Sequence, residues 1–119
     1  MANVLIVDDD AFVRNYLRDA LAGKGFRMIE ACNGDEACRL AAFHRPEVIL
    51  LDLLMPKRSG LEALQRIRAT SPESRLIVIS SLDAAGVIQQ TLAAGAHSFV
   101  AKPFHPLEIL AAVETAVRS

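Results

Sequence analysis

Val4-Leu5-Ile6-Val7-Asp8-Asp9-Asp10 drives four branched apolar residues straight into three carboxylates. An apolar run without alternating polar residues suits a strand buried on both faces, the situation of a central strand in a parallel sheet. Similar runs recur at residues 27–31, 48–51, 76–79 and 98–100, so that, with residues 3–7, five strands are expected. The intervening segments 11–24, 35–44, 61–70, 84–94 and 106–118 carry helical spacing. Strand starts lie roughly 20 to 28 residues apart, which suits a strand plus a right-handed crossover helix. The pattern is β/α repeated five times, an α/β chain with a parallel sheet covered on both faces.

The punctuation agrees. Gly25 and Gly95 stand where helices can end, Ser59 can cap the helix after Gly60, and Pro106 suits a first helical position. Ligands of open parallel sheets bind outside the carboxyl ends of the strands. The polar residues at or just past those ends are Asp8 and Asp9, Asp52, Ser80 and Lys102. Three carboxylates, a hydroxyl and an ammonium are therefore expected in one pocket.

At 119 residues, 52% of them apolar, the chain has the size of one domain and can bury one real core. Thirteen basic against fourteen acidic residues, with no basic run, give no field suited to nucleic acid, so direct nucleic-acid binding is not expected. The apolar stretches fall far short of the ~20 residues of a membrane helix, and the first residues lack the features of a signal peptide. The expectation is a cytoplasmic protein without membrane contact. Cys32 and Cys38 are too few for a disulfide framework and lack metal-site spacing, so they read as free thiols, with a redox role as the weaker alternative.

Carboxylates crowded at one sheet edge raise one another's pKa unless a cation joins them. Magnesium fits: it takes hard oxygen ligands, often one or two carboxylates, and keeps waters that a phosphoryl oxygen can replace. An aspartate at a strand end can attack phosphorus while a metal and a lysine neutralise the transferring oxygens. On that reading Asp52 is the nucleophile, Lys102 the cation, and Ser80 a hydroxyl donor, with the small Ser81 beside it leaving the phosphoryl group a path. Singly, an Asp-Asp pair is usually a cap or a turn, a strand-end serine a turn residue, and a lysine a solvated charge. The ordered set carries the inference.

Those same residues make the chain similar to the receiver domain of two-component response regulators. The resemblance covers almost the whole sequence: Val4 to Asp10, Leu50-Leu51-Asp52-Leu53-Leu54-Met55-Pro56 with Gly60, Ile77-Val78-Ile79-Ser80-Ser81, and Gly95-Ala96 leading to Phe99-Val100-Ala101-Lys102-Pro103-Phe104. It implies a flavodoxin-like (βα)5 three-layer sandwich with strand order 2-1-3-4-5, an order for which receivers are a known example. It implies magnesium held by Asp9, Asp52 and the main-chain carbonyl of Leu54, with Asp8 acting mainly through water. Asp52 would be phosphorylated by a histidine kinase or histidine phosphotransfer protein, with Ser80, Lys102 and the metal assisting. Ser80 and Phe99 would form the switch, repacking the face of the fourth helix, fifth strand and fifth helix. From the residues alone Phe99 is equally a plain core aromatic.

The chain is then expected to be a receiver domain over residues 1–119 with no output domain, and not an enzyme beyond its own phosphorylation and dephosphorylation. It would act on a downstream protein target or a fused output domain, and a phosphorylation-dependent homodimer through the last helix stays open. Phe12 and Tyr16 lie one turn apart, off the face that Val13, Leu17 and Leu21 should bury, and with Phe104 are candidates for partner docking; packing against the last helix is the alternative. Lys57-Arg58-Ser59 departs from the apolar and acidic residues many receivers carry before the glycine. Leu54 and Leu82, two residues past Asp52 and Ser80, cannot orient a hydrolytic water. Two rivals remain in view: a receiver used only for protein contacts, and an aspartyl-phosphate phosphohydrolase. The second is disfavoured because Leu54 stands where such enzymes need an aspartate.

Overall fold

A computed structural model of the chain describes residues 2–54, 60–81 and 85–118. The elements run β1 (Asn3–Val7), α1 (Ala11–Leu21), β2 (Arg27–Ala31), α2 (Gly34–His44), β3 (Val48–Asp52), α3 (Gly60–Thr70), β4 (Arg75–Ser80), α4 (Ala85–Ala93), β5 (Ser98–Ala101) and α5 (Pro106–Arg118). All strand pairs are parallel, in the order β2-β1-β3-β4-β5. The flavodoxin-like expectation is met in element order and in strand order.

Alternation along the strands divides the core into two layers. Leu5, Val7, Ile49, Leu51, Leu76 and Val78 face α2 and α3, meeting Ala37, Ala41, Ala63, Leu64 and Ile67. Val4, Ile6, Val48, Leu50, Ile77 and Ile79 face the other way, meeting Leu17 and Leu21 of α1 and Ile109, Val113 and Ala116 of α5. Every one of these side chains is buried. The helices carry their apolar residues in matching stripes, so each covers one side of the sheet and leaves its polar side to water.

Several boundaries differ from the sequence expectation. The first helix stops at Leu21 and not at residue 24, because Ala22 is already extended and Gly23 takes φ 75°, a left-handed conformation that glycine adopts without strain. Strand pairing runs one residue further at the carboxyl ends of β3, β4 and β5, since the backbone ladder is indifferent to the polarity of Asp52 and Ser80. The second helix begins at Gly34, capped by Asn33, whose side chain accepts from the Glu36 amide at 2.8 Å. Met55, Pro56, Lys57, Arg58, Ser59, Leu82 and Ala84 lie outside the described residues, so the expected Ser59 cap, the basic pair and the Leu82 position do too.

Candidate functional site

The register assembles the site. Val7 pairs with Leu51, so the next residues, Asp8 and Asp52, leave neighbouring strands side by side. Asp52 pairs with Ile79, and Ser80 pairs with Ala101, which places Ser80 and Lys102 at the same edge. The Lys102 amide donates to the Ser80 carbonyl at 2.9 Å, and the Lys102-Pro103 peptide is cis.

Asp8 and Asp52 are buried, and Asp9 is exposed beside them; one oxygen from each of the three lies within 4.8 Å of the others. The Lys102 ammonium sits 3.2 Å from Asp8 Oδ2 and 3.8 Å from Asp52 Oδ1. Asp8 Oδ1 accepts from the Asp10 amide at 2.9 Å, and Asp52 Oδ1 from the Leu54 amide at 3.2 Å. Ser80 is buried at the end of β4. Among the described residues, three carboxylates meet one ammonium, which leaves the cluster under-neutralised. Burial, and next the neighbouring Asp8 charge, push the Asp52 carboxyl up from 3.8 to about 6, while the Leu54 amide and Lys102 pull the other way.

That donor set suits a small divalent cation. The oxygens are hard, they are close enough to share one ion, and the unrelieved negative charge favours uptake. Among the described residues, Asp8, Asp9 and Asp52 form a group able to hold it. Leu54, half-exposed just past β3, has its backbone beside Asp52.

The other expected residues fall in two places. Phe99, opposite Val78 in β5, is half-buried and packs on the α2/α3 layer of the core. Phe12 is 77% exposed at the start of α1. Tyr16 meets the Phe104 ring edge-on at 5.6 Å, a contact with the segment between β5 and α5. Phe12, Val13, Tyr16, Pro103 and Phe104 nevertheless line an open, largely apolar cleft of about 440 Å³ that reaches Ser81 and Lys102.

Sequence reasoning missed three contributors. Gly60 packs so tightly under β3 that a Cβ there would fall on the Leu53 Cα and 2.6 Å from the Asp52 carbonyl oxygen. Its amide donates to the Leu53 carbonyl at 3.1 Å, tying α3 to the strand that carries Asp52. Arg14 and Glu30 form an ion pair at 2.9 Å beside the end of β1. The signal for Arg14 was a charge at i, i+3, i+7 spacing with Leu17 and Leu21, on the side of α1 that faces the sheet.

Comparison with known proteins agrees with this geometry. A profile of the response regulator receiver domain matches residues 4–114. The chemotaxis protein CheY of Thermotoga maritima is 34% identical over 111 residues, 92% of each chain. The response regulator MprA of a Mycobacterium species is 36% identical over 115 residues, which are 97% of this chain but 50% of that protein. Among solved structures, the CheX-CheY-BeF3-Mg+2 complex from Borrelia burgdorferi superposes with a TM-score of 0.91 at 32% identity, covering 96% of this chain and 87% of that one. The chain belongs to the response regulator receiver domain family.

Proposed function

We propose that the chain is a phosphorylation switch that accepts a phosphoryl group on Asp52, with magnesium, from a histidine kinase or histidine phosphotransfer protein. The observation that carries this reading is the convergence of Asp8, Asp9 and Asp52 within 4.8 Å, beside the Lys102 ammonium. Asp9, Asp52 and the Leu54 carbonyl would hold the ion, with Asp8 behind them. When bound it would neutralise charge on the transferring phosphoryl oxygens.

The chain's own residues do the rest. An ionised Asp52 oxygen attacks phosphorus; the new O–P bond forms as the P–N bond to the donor imidazole breaks, and the imidazole takes a proton from solvent. Lys102, already within reach of Asp52, follows the charge onto the phosphoryl oxygens. The Ser80 hydroxyl donates to one of them from the adjacent strand end. Phosphorylation therefore exchanges a carboxylate for a dianion at one sheet edge, and Ser80 and Phe99 on neighbouring strands transmit that change to the face formed by α4, β5 and α5. Driving such a two-state element from mostly off to mostly on takes about 5.5 kcal/mol of differential stabilisation. A few charge-assisted bonds plus repacking of Phe99 are of that order.

The cleft between Phe12, Tyr16 and Phe104 is the surface for the phosphoryl donor, because it is apolar, open and shares Lys102 with the site. The switched face would serve a downstream protein, a fused output domain or a second copy. On this reading the chain is a signalling domain that acts in the cytoplasm and folds as one receiver domain over residues 1–119, in line with the family match over residues 4–114. The test is titration with beryllofluoride and magnesium followed by amide NMR. The reading expects saturable shifts at Asp52, Ser80, Phe99 and Lys102 that vanish in Asp52→Asn; unchanged spectra in folded protein would overturn it in favour of a phosphorylation-independent interaction module.

A further inference from the structure

The turn that carries Asp8 and Asp9 is held by a group outside the phosphoryl chemistry. Arg14 Nη1, from the second turn of α1, donates to the Asp8 carbonyl at 2.7 Å, while its Nε donates to Glu30 Oε1 on β2 at 2.9 Å. Glu30 is in turn braced by Arg18, whose Nη1 stands 3.3 Å from Oε2. The Asp8 amide donates to the Ala31 carbonyl at 3.2 Å. One guanidinium thus clamps the Asp8–Asp9 peptide to both the neighbouring strand and the following helix. Its two edges are used in fixed directions, which a planar fork does and an ammonium cannot.

The clamp matters most for Asp9. The Asp8 carboxylate has its own partners in the Asp10 amide and Lys102. Among the described residues no donor meets the Asp9 carboxylate, and Asp9 is exposed. Its place in the three-oxygen cluster therefore rests on where its backbone is held, and the peptide that Arg14 grips is the one entering Asp9.

We propose that Arg14, oriented by Glu30, is a positioning residue that sets the divalent-ion affinity of the carboxylate cluster by fixing the Asp8–Asp9 peptide. The proposal rests on the reading of that cluster as a magnesium site. Groups behind the ligands of a metal typically change its affinity 10- to 100-fold when lost. Because Arg14 acts through the backbone, the low end, about tenfold, is expected for Arg14→Gln.

The sign separates positioning from simple electrostatics. Removing a positive charge near a cation site by field alone tightens divalent binding. Loss of the clamp weakens it. Arg18→Gln removes the second contact to Glu30 without touching Asp8, and controls for a general loosening of α1 against β2.

The experiment is magnesium titration by calorimetry of unmodified protein, Arg14→Gln, Arg14→Lys and Arg18→Gln, each checked for folding by circular dichroism and urea unfolding. The expected result is a dissociation constant raised about tenfold in Arg14→Gln, partly recovered in Arg14→Lys, which can serve one acceptor but not both, and changed less than about twofold in Arg18→Gln. Should Arg14→Gln not fold, Arg14→Lys alone carries the comparison with Arg18→Gln. Unchanged or tighter binding without the arginine overturns the positioning role, as does equal weakening in Arg18→Gln. If the unmodified protein takes up no magnesium, the reading of the cluster fails, and the positioning role fails with it.

Discussion

Replacing Asp52 with asparagine should stabilise the metal-free protein near neutral pH, although it removes the proposed phosphoryl acceptor. Folding moves the Asp52 carboxyl from 3.8 to about 6, chiefly through burial and then through Asp8. A carboxyl whose pKa is raised by folding is fully compatible with the fold when protonated and opposes it when ionised. Below about pH 4 the group is protonated in both states and exacts nothing. As pH climbs from there through about 6 the unfolded chain ionises first, and stability falls. Above that window the whole penalty applies. A rise of roughly two units at about 1.4 kcal/mol each gives about 3 kcal/mol. Asparagine is nearly isosteric, carries no charge, and its amide oxygen can still accept from the Leu54 amide. Urea unfolding in the presence of a chelator should show the variant more stable by about 2–3 kcal/mol near neutral pH, a gain of roughly 10 °C in Tm for a domain of this size. The gap should close as pH falls below about 4. Saturating magnesium should also narrow it, since ligand at 100 times its Kd adds about 2.7 kcal/mol to a protein that binds it. A variant no more stable than the parent in chelator, or a gap independent of pH, would refute the view that crowded, buried, under-neutralised charge dominates this site.

The same crowding predicts that Lys102→Gln, by removing an ammonium 3.8 Å from Asp52, raises the Asp52 pKa further; a carboxyl carbon titration by NMR checks the direction. Gly60→Ala should cost more than about 2 kcal/mol in urea unfolding and shift the amides of Leu53 and Leu54, because the added Cβ meets backbone, which cannot yield as a flexible side chain can. Magnesium affinity should fall with pH through about 6, as protons compete for Asp52, and calorimetry in buffers of different ionisation heat should detect proton release on binding. Leu54, half-exposed beside Asp52, offers no hydrogen bond to an incoming water; Leu54→Asn should shorten the lifetime of the phosphorylated state, and equal or slower phosphoryl loss by intact mass would count against that.

The sheet was legible because its strands are buried on both faces, and short runs such as Val4 to Val7 or Val48 to Leu51, spaced by helical segments, suit central parallel strands. Once the strands were placed, the convergence of Asp8, Asp52, Ser80 and Lys102 followed from register and needed no knowledge of side chains. The end of α1 was misjudged because Ala22 and Lys24 are good helix formers, while the turn depends on Gly23 and Gly25 taking positive φ. Arg14 was passed over since its spacing with Leu17 and Leu21 marks only a charge on the side of α1 that faces the sheet; its partners, Glu30 and the Asp8 carbonyl, meet it only after β2 has paired with β1. Gly60 likewise reads as a helix start, and its close approach to β3 exists only in three dimensions. For Arg14 and Gly60 what the sequence concealed is a tertiary contact between an ordinary residue and backbone.

The measurement that bears most directly on the account is intact mass after incubation with acetyl phosphate and magnesium, with and without chelator, for the unmodified protein and Asp52→Asn. The account predicts a gain of one phosphoryl group that requires magnesium and is lost in the variant. Folded protein that gains nothing under these conditions, or a variant that gains as much as its parent, would contradict it.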